Sequence, residues 1–176
     1  MKPALEAWLS GPLEGVPPYL MPLAHALVQA DRDLEQAADL TPEEVWARPG
    51  GAASIGFHLM HIAGVLDRLL TYARGEELRE EQVRAFRNEG QAGEPPVAAA
   101  KLIEDTRAAI ARALDEVRAT APDSLLEPRA VGRKHLPSSV LGLLYHAAEH
   151  ATRHTGQLIT TATIVRGRPP GSRPTA

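Results

Sequence analysis

Three histidines near the C-terminal end offer the clearest chemistry in this sequence. His146, His150 and His154 are spaced by four residues among apolar and small side chains. On an α-helix, residues four apart lie on one face, about 6 Å apart along the axis. A neutral imidazole presents one nitrogen that can bind a metal ion, while its other N–H needs a hydrogen-bond partner. The spacing predicts a helix that carries either a metal-binding pair or hydrogen-bonded core histidines.

A second histidine pair precedes this group by about ninety residues. His58 and His61 lie three residues apart, in the first turns of a predicted helix that Ser54 caps. Five of the seven histidines therefore lie on two helices, on or near the stripes that face the core. Helix bundles build metal sites from side chains on facing helices. His150 and His154, together with one histidine of the earlier helix, form the predicted metal site.

Two other metal motifs do not account for the pattern. His146, Glu149 and His150 spell H-x-x-E-H, the inverted zinc-protease motif, but no Asp or Glu follows Glu149 to supply the acidic ligand. A di-iron carboxylate bundle needs Glu three residues before a ligating His, and no histidine in this chain has one. Three imidazoles on one divalent ion leave coordination positions open, as in catalytic rather than closed structural sites.

Helical periodicity defines the elements that must position these histidines. Apolar residues recur at threes and fours in four segments, near residues 18–40, 54–74, 96–119 and 139–165. This pattern predicts an all-α fold, an antiparallel four-helix bundle. Residues 1–17 are expected to form an N-terminal arm, 18–166 the bundle domain and 167–176 a disordered tail.

Two connections carry separate expectations. Residues 76–93 are highly charged and are interpreted as a short helix and a solvated loop without a catalytic role. Residues 131–136 are predicted to be extended and to lie across one end of the bundle.

Composition narrows the class of protein. The 176 residues are 44% hydrophobic and 23% charged, which suits one globular domain. A net charge of −3 without a basic face argues against a nucleic-acid partner. No apolar run is long enough to span a membrane and no signal peptide is visible, so a cytoplasmic protein is expected. The chain has no cysteine, which excludes disulfides, thiolate ligands and a Cys nucleophile.

Two segments together resemble the DinB-like family of four-helix bundles. They are Ser-Ile-Gly-Phe-His-Leu-Met-His-Ile-Ala, beginning at Ser54, and His-Ala-Thr-Arg-His-Thr-Gly-Gln-Leu, beginning at His150. The resemblance covers about residues 18–166. The family includes bacillithiol-type S-transferases and many stress-associated members of uncharacterised function. The resemblance implies a three-histidine site for a divalent metal, usually Zn or Ni and in some members Mn or Fe, and often a homodimer.

Position by position, the resemblance assigns the metal ligands to His61, His150 and His154. His58 and His146 then become candidates for supporting contacts, although His58 is one helical turn from His61 and competes for its role. Gln157 follows the family pattern one turn beyond His154 and is a candidate for hydrogen bonding to a ligand or substrate.

Three functions remain open at this level. The first is a metal-dependent enzyme with a small-molecule substrate, either a small-thiol S-transferase or a hydrolase. The second is a non-catalytic, metal-binding stress-associated protein, and the third is a bundle that has lost the metal and serves interaction only. Without a cysteine, any sulfur nucleophile must arrive as a low-molecular-weight thiol. No catalytic residue is assigned, because Glu149 and Tyr145 adjoin ligands in sequence but point elsewhere on the helix.

Overall fold

Four long helices form a bundle in the computed structural model, which describes residues 5–167. The helices are α1 Met21–Asp33, α2 Pro42–Trp46, α3 Ile55–Ala73, α4 Glu80–Asn88, α5 Ala99–Ala119 and α6 Val140–Val165, and the strands are β1 Pro128–Val131 and β2 Leu136–Ser139. The all-α bundle is confirmed. None of the described helices is both long and apolar enough to cross a membrane. The predicted disordered tail lies outside the described residues except for Gly167.

Local capping explains where the long helices begin and end. The Ser54 hydroxyl accepts a hydrogen bond from the Phe57 amide at the start of α3, and Ser139 does the same for Gly142 at the start of α6. Gly75 takes a φ of +79° just after α3, a conformation that glycine adopts without a Cβ clash. Short 3-10 turns at 18–20 and 34–37 extend α1 close to its predicted length.

Cross-helix contacts establish the directions of the helices. His58 faces His154 while His61 faces His150, so α3 and α6 are antiparallel. The Thr106 hydroxyl donates to the Leu59 carbonyl at 3.0 Å, and Arg74 contacts Glu116 further along both helices. Because the residue numbers rise together along both helices, α3 and α5 run parallel, so the expected antiparallel arrangement holds for α3 with α6 and not for α3 with α5. The long connection through α4 allows that arrangement.

The core lies where these four helices meet. Its largest fully buried side chains are leucines, isoleucines and valines of α1, α3, α5 and α6, together with residues of the flanking turns. They include Leu27, Leu59, Ile62, Leu66, Ile110, Val117, Leu144 and Leu158. Burying such a side chain stabilises the fold by roughly 1.5–3 kcal/mol. The resulting rigid contact between α3 and α6 sets the distance between their histidines.

The two connections contain a short helix and a β-hairpin. Residues 132–135 form the turn of a hairpin, in which β1 pairs antiparallel with β2 and Val131 lies opposite Leu136. Within the predicted segment only its two end residues, Val131 and Leu136, are therefore extended, and the strands continue outside it. The Arg129 side chain donates to the Ala73 carbonyl at 2.7 Å and joins the hairpin to the end of α3. The short helix in 76–93 is confirmed as α4.

Candidate metal centre

His61 of α3 and His150 and His154 of α6 converge between the two helices. One nitrogen from each ring lies within 4.8 Å of the others. The Nε2 atoms of His61 and His150 are 3.0 Å apart, and the ring centroids of His61 and His154 are 4.4 Å apart. The antiparallel pairing of α3 and α6 produces this convergence, because it places the turn of α3 that carries His61 opposite the turn of α6 that carries His150 and His154.

The spacing of these nitrogens fits a shared divalent ion. Two nitrogens bound at about 2.1 Å to one ion are separated by about 3.0 to 3.4 Å, depending on the coordination angle. The 3.0 Å between the Nε2 atoms of His61 and His150 lies at the edge of that range. Small ring movements therefore suffice for both to bind the same ion. Imidazole nitrogens without a thiolate are donors that suit Zn, Ni and Fe.

Burial keeps the two α6 histidines neutral. It lowers the pKa of His150 to about 4, and the Arg153 guanidinium and the neighbouring histidines act in the same direction. Burial also lowers the pKa of His154 to about 4, with contributions from His61, His150 and His58. Because only a deprotonated imidazole binds a metal, no proton has to leave either ring as a whole for metal binding at neutral pH.

His58 lies behind His154 rather than beside His61. Its ring is buried, and its Nδ1 is 3.1 Å from Nδ1 of His154. Burial, followed by the charge of His61, lowers the pKa of His58 to about 4, so this ring is also neutral at pH 7. With its Nδ1 turned to His154, His58 stands outside the group of three and offers His154 a hydrogen-bond partner.

Glu89 approaches His61 from the opposite side. This residue follows α4, and its Oε2 accepts from Nδ1 of His61 at 2.6 Å while its Oε1 accepts from Nη1 of Arg68 at 2.5 Å. Only 6% of its side chain is exposed. The prediction that the loop within residues 76–93 is solvated is therefore wrong at Glu89. The high charge content of this segment favours a solvated loop. Glu89 is buried nevertheless, because the buried Arg68 needs a negatively charged partner.

Two glycines and an aromatic ring shape this side of the site. A Cβ on Gly64 would collide with Oε1 of Glu89 and lie 2.7 Å from Nη1 of Arg68. The Phe57 ring stacks on His61 with 12° between the planes and 5.2 Å between the centroids. Gly90, at φ +87°, passes close to that ring. In the sequence, a glycine inside a helix three residues after His61 is the one sign that another side chain packs against α3 at Gly64.

The outer edge of the site is polar and exposed. His146, half exposed, lies 3.4 Å from Oε2 of Glu149, and these two residues with His150 form a second group of possible ligands. Arg153 occupies that edge, because its guanidinium donates to Glu149 at 2.7 Å and to Nδ1 of His150 at 3.1 Å. The same contact lowers the pKa of Glu149. Gln157 is exposed one turn beyond His154.

A cavity of about 1020 Å³ lies away from the three histidines, between α4 and the hairpin turn. Its lining includes Phe86, Arg84, Arg133 and His135. The Phe86 ring also lies under the guanidinium of Arg68, 4.4 Å from its centroid. Through Phe86 the cavity adjoins the Arg68–Glu89 pair, but its lining does not include His61, His150 or His154.

The model of the DinB superfamily matches residues 26–158, and the chain belongs to this superfamily. A search among curated proteins found no match. The matched range contains every residue of the three-histidine group and the Glu89 that contacts it.

Proposed function

We propose that this chain is a metal-dependent enzyme that binds one divalent ion through His61, His150 and His154. The observation that carries the proposal is the convergence of three imidazole rings from two helices, with a carboxylate on the far nitrogen of one of them. Carboxylate–histidine pairs of this kind orient the histidine ligands of metal sites. Zn or Ni is the expected ion, with Mn or Fe as further possibilities.

A site with three neutral imidazole ligands is more typical of a catalytic metal site than of a structural one. A divalent ion held this way keeps its full charge and open positions, and it lowers the pKa of a thiol or water that it binds. Towards the protein interior, the Phe57 ring stacks on His61, and the buried His58 contacts Nδ1 of His154. The open side is the exposed edge occupied by His146, Glu149 and Arg153, where a small molecule has access.

Thiol transfer is the reaction we favour within this class. The chain has no cysteine, so neither a competing thiolate ligand nor a covalent Cys intermediate arises from the protein. A low-molecular-weight thiol would enter as cosubstrate, lose its proton to solvent and form a carbon–sulfur bond as the electrophile releases its leaving group. Hydrolysis would use water in place of the thiol at the same site.

Conjugation assays test the transferase. Protein loaded with Zn, Ni or Mn is mixed with monochlorobimane and bacillithiol, or another small thiol, and the fluorescent thioether is followed as chloride leaves. The expected result is metal-dependent turnover that is lost in His154→Ala. If no thiol gives turnover above that variant, the transferase is excluded. Hydrolysis of ester or amide substrates then separates a hydrolase from a non-catalytic metal binder.

The family resemblance also supports a homodimer. Large apolar side chains of the N-terminal arm are exposed, with Leu5 and Trp8 each 63% accessible. Light scattering at micromolar concentration tests this assembly, and a monomeric mass would contradict it.

A further inference from the structure

We propose that Glu89 is a positioning residue, which fixes the ring orientation and the tautomer of His61. The inference rests on the metal site proposed above, because His61 is one of its three ligands. It assigns a role to the segment after α4, which contributes no histidine to the group.

The two carboxylate oxygens of Glu89 have separate partners. Oε2 faces Nδ1 of His61 at 2.6 Å, and Oε1 faces the Arg68 guanidinium. A carboxylate accepts hydrogen bonds and an arginine only donates them, so Nδ1 of a neutral His61 must carry the proton. Nε2 then keeps its lone pair, and this is the nitrogen that lies 3.0 Å from His150.

Arg68 keeps Glu89 in this role. Its side chain is only 11% exposed and its guanidinium lies over the Phe86 ring, so its direction is set by packing on both sides. A buried arginine requires an anion, and Glu89 is the carboxylate within reach. The pair leaves Glu89 no free oxygen for proton transfer to a substrate, which favours positioning over acid–base chemistry.

Helix α4 delivers Glu89 to this position. The buried Gln82 donates to Oδ2 of Asp67 and to Oγ1 of Thr71, both at 2.8 Å, and these contacts hold α4 against α3. Glu89 lies about two turns further along, opposite His61. Gly64 leaves the space in which the carboxylate and the guanidinium meet.

Histidine tautomers can be measured directly in the metal-free protein. Long-range ¹H–¹⁵N spectra of protein labelled at histidine distinguish Nδ1–H from Nε2–H rings, and His61→Asn assigns the signal. We expect the Nδ1–H form of His61 in the wild type and a mixture of tautomers in Glu89→Ala. Zinc affinity, measured by chelator competition, should fall about 10- to 100-fold in Glu89→Ala. The zinc affinity of Glu89→Gln should lie between those of the wild type and Glu89→Ala, because the single amide oxygen of Gln cannot accept from both His61 and Arg68.

Gly64→Ala tests the same geometry without deleting a polar group. Alanine is favoured over glycine within a helix, so this variant should fold, yet its Cβ must push aside the flexible ends of Glu89 and Arg68. We expect the same tautomer mixing and a weaker zinc affinity. Glu81→Gln, an exposed change on α4, is the matched control and should leave both measurements unchanged.

Different results would exclude the metal site and the positioning role of Glu89. Wild-type protein that binds no zinc excludes the metal site, whatever the tautomer of His61. Wild-type protein that binds zinc excludes the positioning role if Glu89→Gln, Glu89→Ala and Gly64→Ala all match its zinc affinity and its His61 tautomer. Variants that mix the tautomers and bind zinc more weakly while their circular dichroism is unchanged support it.

Discussion

The Nδ1 atoms of His58 and His154 lie 3.1 Å apart across the contact between α3 and α6. Because both rings are neutral at pH 7, one Nδ1 donates and the other accepts. If His154 donates, its Nε2 keeps a lone pair for a metal ion and His58 carries its proton on Nε2. The buried histidine then holds the tautomer of a ligand that lies on another helix.

His58 should affect metal affinity without abolishing it. His58→Leu removes the acceptor for Nδ1–H of His154, and zinc affinity should fall about 10- to 100-fold. His58→Asn places an amide oxygen near the same point and should recover part of the loss. Chelator competition measures both variants. Equal affinity in His58→Leu and the wild type would show that the contact with His154 has no such role.

Removing one of the three proposed metal ligands should lower metal binding more than removing His58 does. His61→Ala, His150→Ala and His154→Ala should each lose stoichiometric metal, because two imidazoles hold a divalent ion weakly. Metal content by elemental analysis and helicity by circular dichroism check this. Each helix should persist, since the three rings are only partly buried. If His58→Ala loses the metal and His61→Ala retains it, the ligand on α3 is His58.

Acid should destabilise the metal-free protein through its neutral histidines. The folded pKa of His58, His150 and His154 is about 4, below the ordinary 6.5. Between these values the unfolded chain binds protons that the folded chain does not, so the free energy of unfolding falls as pH drops from 6.5 towards 4. For the buried His58 the loss is at most about 3 kcal/mol, and the two more exposed rings contribute less.

Urea unfolding at pH 7, 5.5 and 4.5 measures this loss, and His58→Leu should flatten part of the profile. A free energy of unfolding that does not change over this range in the wild type would contradict the low pKa values. Metal affinity should also persist below the ordinary histidine pKa of about 6.5, because protons compete with the metal for His150 and His154 only near their folded pKa of about 4.

Arg153 should weaken metal binding. Its guanidinium donates to Nδ1 of His150, whereas a metal on Nε2 of that ring requires a proton on Nδ1. Its positive charge also repels the ion. Arg153→Ala removes both effects and frees Glu149, so zinc affinity should rise about fivefold, or about 1 kcal/mol. Arg112→Ala, on the exposed face of α5, is the control. A weaker affinity in Arg153→Ala would assign Arg153 a supporting role instead.

Two helix glycines should respond oppositely to alanine. A Cβ on Gly56 would lie 2.7 Å from the Trp46 ring, whose Nε1 is anchored at 2.9 Å to the Val97 carbonyl. Gly56→Ala should therefore cost about 1–3 kcal/mol of stability. A Cβ on Gly156 would meet no atom within 4 Å, so Gly156→Ala should stabilise by up to about 1 kcal/mol. Urea unfolding compares them, and equal effects would contradict the close contact at Trp46.

The sequence by itself determined the helices and the histidines that they carry. Ser54 caps α3 where predicted, and the four-residue spacing places His150 and His154 on one face of α6, because capping and helical period are local properties. The structure brings a ring nitrogen of His61 within 4.8 Å of theirs, and the binding of a metal by these three residues stays a prediction.

Only the tertiary structure decided what surrounds the histidines. Glu89 reaches His61 across 28 residues of chain, and His58 reaches His154 across 96. No local pattern encodes such contacts, which depend on how α4 docks on α3 and how α3 pairs with α6. A charged segment such as 76–93 looks solvated by composition, yet one of its carboxylates is buried because Arg68, itself buried on α3, carries a positive charge that must be neutralised away from water.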